Sequence, residues 1–272
     1  MFGFFIKKSF FDMWDNLLSV ILMNLGFCAV LALSLGGMWG VGALLLSTGV
    51  AGTSLGMFFA NLAVLIVSGA LLGVYSGAVS SMTTLIVDYT KPSFAEFFRA
   101  LKETWKPSLI FGVIQGILLA LILNAASVYL HNMANWLSPL LFFVLFWLYI
   151  TWLMATQYFF ALQGRFDKKL RKNIRKMFIM FFDNPAFSIF GLTLLSLFVF
   201  GISMVFFFIL PGFVSILIMQ SAALKLRVFK YDYLDAHPQA DRRKIPWQEI
   251  LEPERQLVGR RTLKGMFFPW KD

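Results

Sequence analysis

Acidic and basic side chains, which most often carry catalysis or coupled transport, are confined to four short clusters of this chain. Three spans between the clusters, residues 16–87, 107–164 and 184–224, contain no Asp, Glu, Lys or Arg. Proton-coupled carriers, ion pumps and intramembrane proteases need ionisable groups or nucleophile–base pairs inside the membrane. If the three spans lie in a bilayer, their composition argues against all of these classes. The search for function then moves to the span boundaries.

Histidine and cysteine do not form a recognisable metal site either. His131 and His237 are far apart in the chain, and Cys28 is the only cysteine. A single cysteine can form neither an intramolecular disulfide nor a cysteine-based metal cage, and no glycine-rich phosphate-binding motif occurs. We therefore expect no cofactor, no metal and no bound ATP. A membrane enzyme would have to use carboxylates at the span boundaries, such as Asp15, Asp88 and Asp183.

Three polar side chains occupy comparable places near the ends of the expected return helices. They are Thr84, Gln157 and Gln220. In the functional interpretation they meet and line a polar cavity that is open to the cytoplasm. In the structural interpretation they form hydrogen bonds between helices, which stabilise a membrane bundle by about 0.6–2 kcal/mol each.

Small residues form a regular series in the first charge-free span. Gly69, Gly73 and Gly77 follow one another at intervals of four residues, so they share one face of a helix. Such a face lets another backbone approach closely. We predict a helix-packing seam here, either with another helix of this chain, which we favour, or with a second protein.

The composition indicates a polytopic membrane protein. Hydrophobic residues make up 59% of the chain and charged residues 14%, against about 45–50% and about 25% in soluble proteins. A membrane helix needs about 20 residues, so each charge-free span can hold two helices and a turn. We predict an all-α fold with six transmembrane helices arranged as three hairpins.

The 24 basic residues set the expected orientation. Basic clusters flank each charge-free span on both sides, and Lys and Arg collect on the cytoplasmic side of a membrane. Each span must then cross an even number of times. We expect a multi-pass protein of the bacterial inner membrane with both termini in the cytoplasm. The net charge of +10 is better explained by anionic lipid headgroups than by nucleic acid.

An amphipathic stretch precedes each expected hairpin, and we predict a helix lying flat on the cytoplasmic surface at each place. The three stretches cover residues 2–13, 93–105 and 166–181. Ser93 and Glu96 have the spacing of a capping box, and the second outward helix is expected to begin at Pro107. The unit of interfacial, outward and return helices would repeat over residues of about 1–90, 91–164 and 165–230.

Two segments depart from this unit. The uncharged, glycine-rich residues 36–56 are expected to form an outer loop or a re-entrant half-helix that does not cross. After the transmembrane domain of residues 1–230, residues 231–272 form a cytoplasmic tail too short for a catalytic domain. Its apolar residues would dock a partner or the membrane surface; the main candidates are Trp247, Phe267, Phe268 and Trp270.

The chain resembles the YesL-like family of small bacterial membrane proteins. The likeness rests on Phe94-Ala95-Glu96-Phe97-Phe98-Arg99 leading into Trp105-Lys106-Pro107, and on the opening Trp14-Asp15-Asn16-Leu17-Leu18. The glycine-rich insertion and the long tail depart from the family's compact form. Because members tend to be encoded among sugar-uptake genes, the resemblance implies an accessory role beside a carbohydrate ABC transporter, and it supplies no catalytic residues.

Two functional hypotheses follow from these patterns. The first is a non-enzymatic membrane protein that scaffolds or regulates a partner complex through its cytoplasmic face. The second is an uncoupled transporter or channel for a neutral solute or lipid, with Asn, Gln, Ser and Thr lining the path. A continuous polar cavity through the bundle would favour the second hypothesis, and a solidly packed bundle would exclude it.

Overall fold

Helices account for 87% of the computed structural model, and the chain forms no strand in the part that the structure describes. The described residues are 1–47, 54–131, 137–166, 168–241, 245–259 and 261. The predicted all-α class is thereby confirmed.

Eleven α-helices and one π-helical segment follow one another along the described chain. They are α1 (Phe2–Asp15), α2 (Leu17–Ser47), α3 (Ser54–Val87), α4 (Phe94–His131), α5 (Leu137–Thr156), α6 (Phe159–Arg165), α7 (Leu170–Asp183), the π-helical segment (Phe187–Thr193), α8 (Leu194–Val205), α9 (Gly212–Ala236), α10 (Trp247–Ile250) and α11 (Glu252–Val258). Six stretches are long and apolar enough to cross a membrane: Leu17–Leu44, Phe58–Val87, Phe94–Tyr129, Leu137–Arg165, Phe187–Val205 and Gly212–Ala236. Their number agrees with the six predicted crossings, as expected for a multi-pass membrane protein.

Helix α9 lies at the centre of the bundle. In its most apolar stretch 83% of the residues are buried inside the chain, whereas the corresponding share is 0% for the span formed by α5 and α6. α9 contacts α1, α2, α3, α6 and α8. Because these neighbours are protein and not lipid, α9 tolerates the lowest mean hydropathy of the six spans, 1.4.

The glycine seam of α3 packs against α4, within the same chain. A Cβ atom at Gly73 would lie 2.5 Å from the Ser108 carbonyl oxygen, and one at Gly69 would overlap the Gly112 carbonyl oxygen. A Cβ atom at Gly77 would overlap the Ser108 side chain. The seam therefore depends on residues without side chains, and α3 and α4 form the most extensive helix pair of the bundle.

One asparagine of α2 holds the turn between α8 and α9. The Asn24 amide donates hydrogen bonds to the carbonyls of Ile209 at 3.0 Å and Pro211 at 2.9 Å. Its oxygen accepts a hydrogen bond from the Val214 backbone N–H at 2.9 Å, so it satisfies a free donor in the first turn of α9. Gly212 has a φ of +75° and lies against Asn24, which leaves no room for a side chain.

Two predicted helix boundaries are wrong. α4 runs without interruption from Phe94 through Pro107, so the second interfacial helix and the second outward helix are one helix. Pro107 removes only the hydrogen bond to the carbonyl of Glu103, an exposed residue. Residues 36–47, expected in a loop or half-helix, extend α2, and residues 48–53 lie outside the described part.

Helix α1 does not lie on the surface as predicted. Phe5, Lys8, Phe11 and Asp12 are all buried, and α1 contacts α9, α3, α2 and α11. The polar arc of α1 is covered because α11, in the predicted tail, folds back onto it. α9 also continues past the expected domain boundary at residue 230 and ends at Ala236.

Candidate functional site: a charge cluster that joins both termini

Six charged side chains from distant parts of the sequence meet at one end of the bundle. We call them the clasp cluster; its members are Lys8, Asp12, Asp88, Arg165, Lys225 and Glu254. α1 supplies two of them, and α6, α9 and α11 supply one each, while Asp88 follows the last residue of α3. Three cations face three carboxylates, so the cluster is neutral when all six are ionised.

Lys8 lies at the centre of the cluster and is fully buried. Its ammonium lies 3.1 Å from the Asp12 carboxylate and 3.3 Å from the Glu254 carboxylate. It also donates a hydrogen bond of 3.0 Å to the Val87 carbonyl. These acceptors come from α1, α3 and α11, so a single ammonium connects three helices.

Lys225 repeats this arrangement from α9. Its ammonium lies 2.7 Å from Glu254 and 3.0 Å from Asp88, and it donates to the Val87 carbonyl at 3.1 Å. Asp88 also binds Arg165 at 2.8 Å. The Lys225 side chain is long enough to extend to the lipid headgroups. It turns inward instead, because these acceptors lie within its reach.

Tyr89 fits between the two lysines. Its φ of +60° places it in the left-handed region, a common conformation where a helix ends. The Lys8 and Lys225 ammonium groups lie 3.9 Å and 5.1 Å from its ring centroid, within reach of the cation–π attraction. Its hydroxyl donates a hydrogen bond of 2.8 Å to Glu254.

Burial shifts the pKa values of the innermost pair. Loss of solvent raises the pKa of Asp12 to about 7 against the attraction of Lys8, and loss of solvent lowers the pKa of Lys8. Burial also acts to raise the pKa values of the Asp88 and Glu254 carboxyls. Hydrogen bonds from Arg165 and Lys225 outweigh this effect and hold both pKa values below their usual range.

Further contacts fasten the C-terminal segment to α1. Lys7 donates a hydrogen bond of 2.9 Å to the Gly259 carbonyl, at the end of α11. Arg261 binds Asp15 at 2.8 Å and lies 4.5 Å from the Phe11 ring centroid. With Leu251 and Val258 fully covered, α1 and α11 belong to one packed end of the protein.

A second group of polar side chains surrounds Arg227 on α9. The guanidinium carbon lies 4.4 Å from the centroid of the Phe187 ring, in the π-helical segment. Lys230, three residues further on, binds Asp183 at 2.7 Å. The fully buried Tyr158 hydroxyl shares a 2.8 Å hydrogen bond with Ser188.

The structure does not link Thr84, Gln157 and Gln220 by hydrogen bonds. Thr84 donates to the Ser80 carbonyl of its own helix and packs against Gly164. Gln157 donates a hydrogen bond of 2.6 Å to Thr193, and Gln220 is buried in α9. Of the three side chains, Gln157 makes the kind of hydrogen bond between helical segments that the structural interpretation describes.

An intramembrane cavity of about 390 Å³ lies elsewhere, between α2, α3, α4 and α5. Most of its lining is apolar, and Ser34, Ser68, Ser76, Gln115 and Tyr149 supply its polar groups. The Trp152 indole N–H donates a hydrogen bond of 3.1 Å to the side-chain amide oxygen of Gln115. The size and chemistry of this cavity suit an apolar chain or a small amphiphile.

Only part of the clasp cluster could be recognised from the sequence. The spacing of Lys8 and Asp12, four residues apart, is the signal that was available for α1. Trp247, a predicted docking residue, packs partly buried against the core, and its partners in that prediction, Phe267, Phe268 and Trp270, lie outside the described residues. Glu254 and Arg227 were missed because the sequence does not show what faces them.

The clasp cluster consists of ion pairs and hydrogen bonds. Within the described ranges, no three His, Cys, Asp or Glu side chains come together as a metal site. Comparison with family models, curated proteins and solved structures finds no match to this chain.

Proposed function

We propose that this chain is a non-enzymatic accessory protein of the bacterial cytoplasmic membrane that scaffolds a partner complex. It crosses the membrane six times as three hairpins and holds both termini in the cytoplasm, where basic side chains contact anionic lipid headgroups. A carbohydrate ABC transporter is the partner class that the resemblance to the YesL-like family implies.

The clasp cluster is the observation that carries this proposal. Lys8 and Lys225 each contact two carboxylates and a backbone carbonyl. Groups held this closely suit a structural task better than proton transfer or ligand exchange. These contacts join α1 and α11 into one rigid surface. A scaffold protein needs such a surface to bind its partner.

The boundary carboxylates that an enzyme would need are all engaged in ion pairs. Asp15 binds Arg261, Asp88 binds Arg165 and Lys225, and Asp183 binds Lys230. Hydrogen bonds from these cations outweigh burial and lower the pKa values of Asp88 and Asp183. A general acid needs the opposite shift, so the environments of Asp88 and Asp183, unlike that of Asp12, support a non-catalytic role.

Helix α5 offers a surface for a membrane partner. Phe143, Trp147 and Leu148 are exposed on it, and none of the most apolar stretch of its span is buried within the chain. An apolar helix in a bilayer can face lipid or another protein. Aromatic side chains are favoured where helix faces bind a partner.

Crosslinking in the native membrane tests the proposal. A photo-crosslinking residue at Trp147 should capture a distinct membrane protein at native expression, and the same residue at the buried Ala155 should not. The complex should also survive purification in mild detergent. Recovery of the chain as a single species, with lipid as the only crosslinked product at Trp147, would contradict a scaffold role.

The cavity between α2 and α5 favours a second candidate function, the uncoupled transport or binding of a neutral solute or lipid. Its apolar lining and few polar groups resemble ordinary small-molecule sites. Replacing Ser68 with Leu would fill the cavity, whereas Ser81→Leu, on the same helix outside the lining, provides a control. Loss of solute flux in proteoliposomes with Ser68→Leu alone would support this function, and no flux with the unaltered protein would exclude it.

A further inference from the structure

Arg227 is a fully buried cation that the clasp cluster does not use. Its side chain is the largest among the fully covered residues of the described structure, with 2% of its surface exposed. Its Nε and Nη2 atoms are buried and have no hydrogen-bond partner among the described residues. A buried guanidinium with free N–H groups is unfavourable unless an acceptor meets them.

The charges around Arg227 do not balance. Lys230 and Arg227 are two cations on one helix, and Asp183 is the carboxylate that faces them. That carboxylate binds the Lys230 ammonium at 2.7 Å and accepts a hydrogen bond of 2.6 Å from Asn184. One positive charge is therefore left over, in contrast to the neutral clasp cluster.

The contact with Phe187 does not satisfy the free N–H groups. The Phe187 ring lies 4.4 Å from the guanidinium carbon, which is a cation–π contact with the ring face. The N–H bonds of a guanidinium lie in its own plane and form a fork that matches two oxygen atoms of a phosphate or carboxylate. The fork remains available while the cation–π contact holds the group in place.

Two neighbouring features surround the Arg227 guanidinium: a tyrosine hydroxyl and the π-helical segment. Tyr231 is four residues from Arg227, so both lie on one face of α9, and its buried hydroxyl, which lies near the Asp183 carboxylate, makes no hydrogen bond of normal geometry in the described ranges. The π-helical segment that carries Phe187 is held by hydrogen bonds from Tyr158 and Gln157 to Ser188 and Thr193. Such segments often occur at functional sites.

We propose that Arg227 and Tyr231 bind an oxyanion, with the guanidinium fork donating to two of its oxygen atoms. The anion is the phosphate of an acidic phospholipid or a free inorganic phosphate, since both present the same group. The exposed basic residues Arg171 and Arg175 of α7 attract anions to the end of the bundle that holds Asp183.

Thermal unfolding of the purified full chain in a neutral detergent tests the site. One arm adds inorganic phosphate against chloride at equal ionic strength, and the other adds phosphatidylglycerol against phosphatidylcholine. A rise in Tm with phosphatidylglycerol alone assigns a lipid headgroup, a rise with phosphate alone assigns a free anion, and a rise with both supports a general oxyanion site. No rise in either arm overturns the proposal and leaves water as the partner of Arg227.

Two matched variants separate the site from general charge attraction. Arg227→Lys keeps the charge and loses the planar fork, and it should weaken anion binding about tenfold, as expected for a charge-assisted hydrogen bond. Arg175→Lys makes the same change at an exposed position and should bind as the unaltered protein does. If Arg227→Lys does not fold, Tyr231→Phe replaces it, with a smaller loss expected. Equal binding by the site variant and the Arg175→Lys control would overturn the proposal.

Discussion

Lys225 and Arg227 are cations of the same helix, two residues apart, and they lie in opposite environments. Two residues turn an α-helix by about 200°, so the two side chains leave α9 on opposite sides. Lys225 has three oxygen atoms within 3.1 Å, whereas the guanidinium of Arg227 meets the face of an aromatic ring. The first cation joins parts of the chain, and the second keeps its Nε and Nη2 donors without a partner among the described residues.

The largest effect in this comparison is expected from Lys225→Met. The change removes a cation from the exposed Asp88 and from the buried Glu254 carboxylate, and removing one partner of a buried ion pair costs about 3–5 kcal/mol. We expect a loss in the free energy of unfolding of that size, measured by unfolding in detergent. Lys102→Met, an exposed position on α4, should change it by less than about 0.5 kcal/mol. Equal effects of the two changes would contradict the assigned role of Lys225.

A smaller effect is expected from Glu254→Gln. The amide keeps the shape and the hydrogen bond to Tyr89 but loses the attraction to Lys8 and Lys225, so we expect a loss of about 2 kcal/mol. The C-terminal segment should separate from α1 more often. Faster amide hydrogen exchange over Glu252–Val258 would show this, and Glu252→Gln, which removes an exposed carboxylate of the same helix, should leave exchange unchanged.

Arg227→Met should show the opposite behaviour to Lys225→Met. Because the Arg227 charge is not balanced, its replacement by an apolar side chain of similar length leaves no carboxylate without a partner. We expect a change of less than about 1 kcal/mol in the free energy of unfolding in anion-free detergent, with either sign. A loss as large as that of Lys225→Met would mean that Arg227 has an ion-pair role like that of Lys225.

A further prediction concerns the pH dependence of stability. The pKa of Asp12 is raised to about 7 from 3.8, so the folded state binds this proton more tightly than the unfolded state. Stability should therefore fall as the pH rises from about 4 to about 7. The lowered pKa values of Asp88 and Glu254 act in the opposite direction, and their contribution is lost as the pH falls below about 4.

The Asp12 contribution can be isolated by substitution. Asp12→Asn should remove the fall in Tm that Asp12 causes between pH 5 and pH 8. Asp15→Asn, at an exposed carboxylate of the same helix, should keep the profile of the unaltered protein. A profile of Asp12→Asn that matches the unaltered protein would argue against a buried, protonated Asp12.

Several features of the fold were predictable because they depend on short sequence patterns. Lipid excludes charged side chains from a membrane span, and helix geometry sets the spacing of residues that share a face. The charge-free spans predicted six apolar helices, and the glycine interval predicted the close face that α3 presents to α4. The capping box is present, with the Ser93 N–H donating to Glu96 at 2.8 Å and the Glu96 N–H donating to the Ser93 hydroxyl at 3.3 Å. The boundary at Pro107 was wrong because this proline, inside α4, removes only the hydrogen bond to the carbonyl of Glu103, an exposed residue, and the helix continues through it.

The candidate site was less predictable because it depends on contacts between distant segments. In an isolated helix a lysine such as Lys225 can extend its long side chain to the lipid headgroups, and nothing in the sequence shows that Lys8 and Lys225 are buried instead. Their burial follows from Glu254, which lies 246 residues after Lys8 in the chain and reaches it only when α11 folds back. The sequence pattern did direct attention to the charged boundaries of the spans, where the cluster lies.

The closure of α11 over α1 also has a consequence for the order of synthesis. Lys8 is made before the six apolar helices, while Glu254 is made only after all of them. Helix α1 must therefore wait, with a buried ion-pair partner missing, until α11 has been translated. A ribosome that stalls before residue 254 leaves Lys8 with an incomplete set of partners.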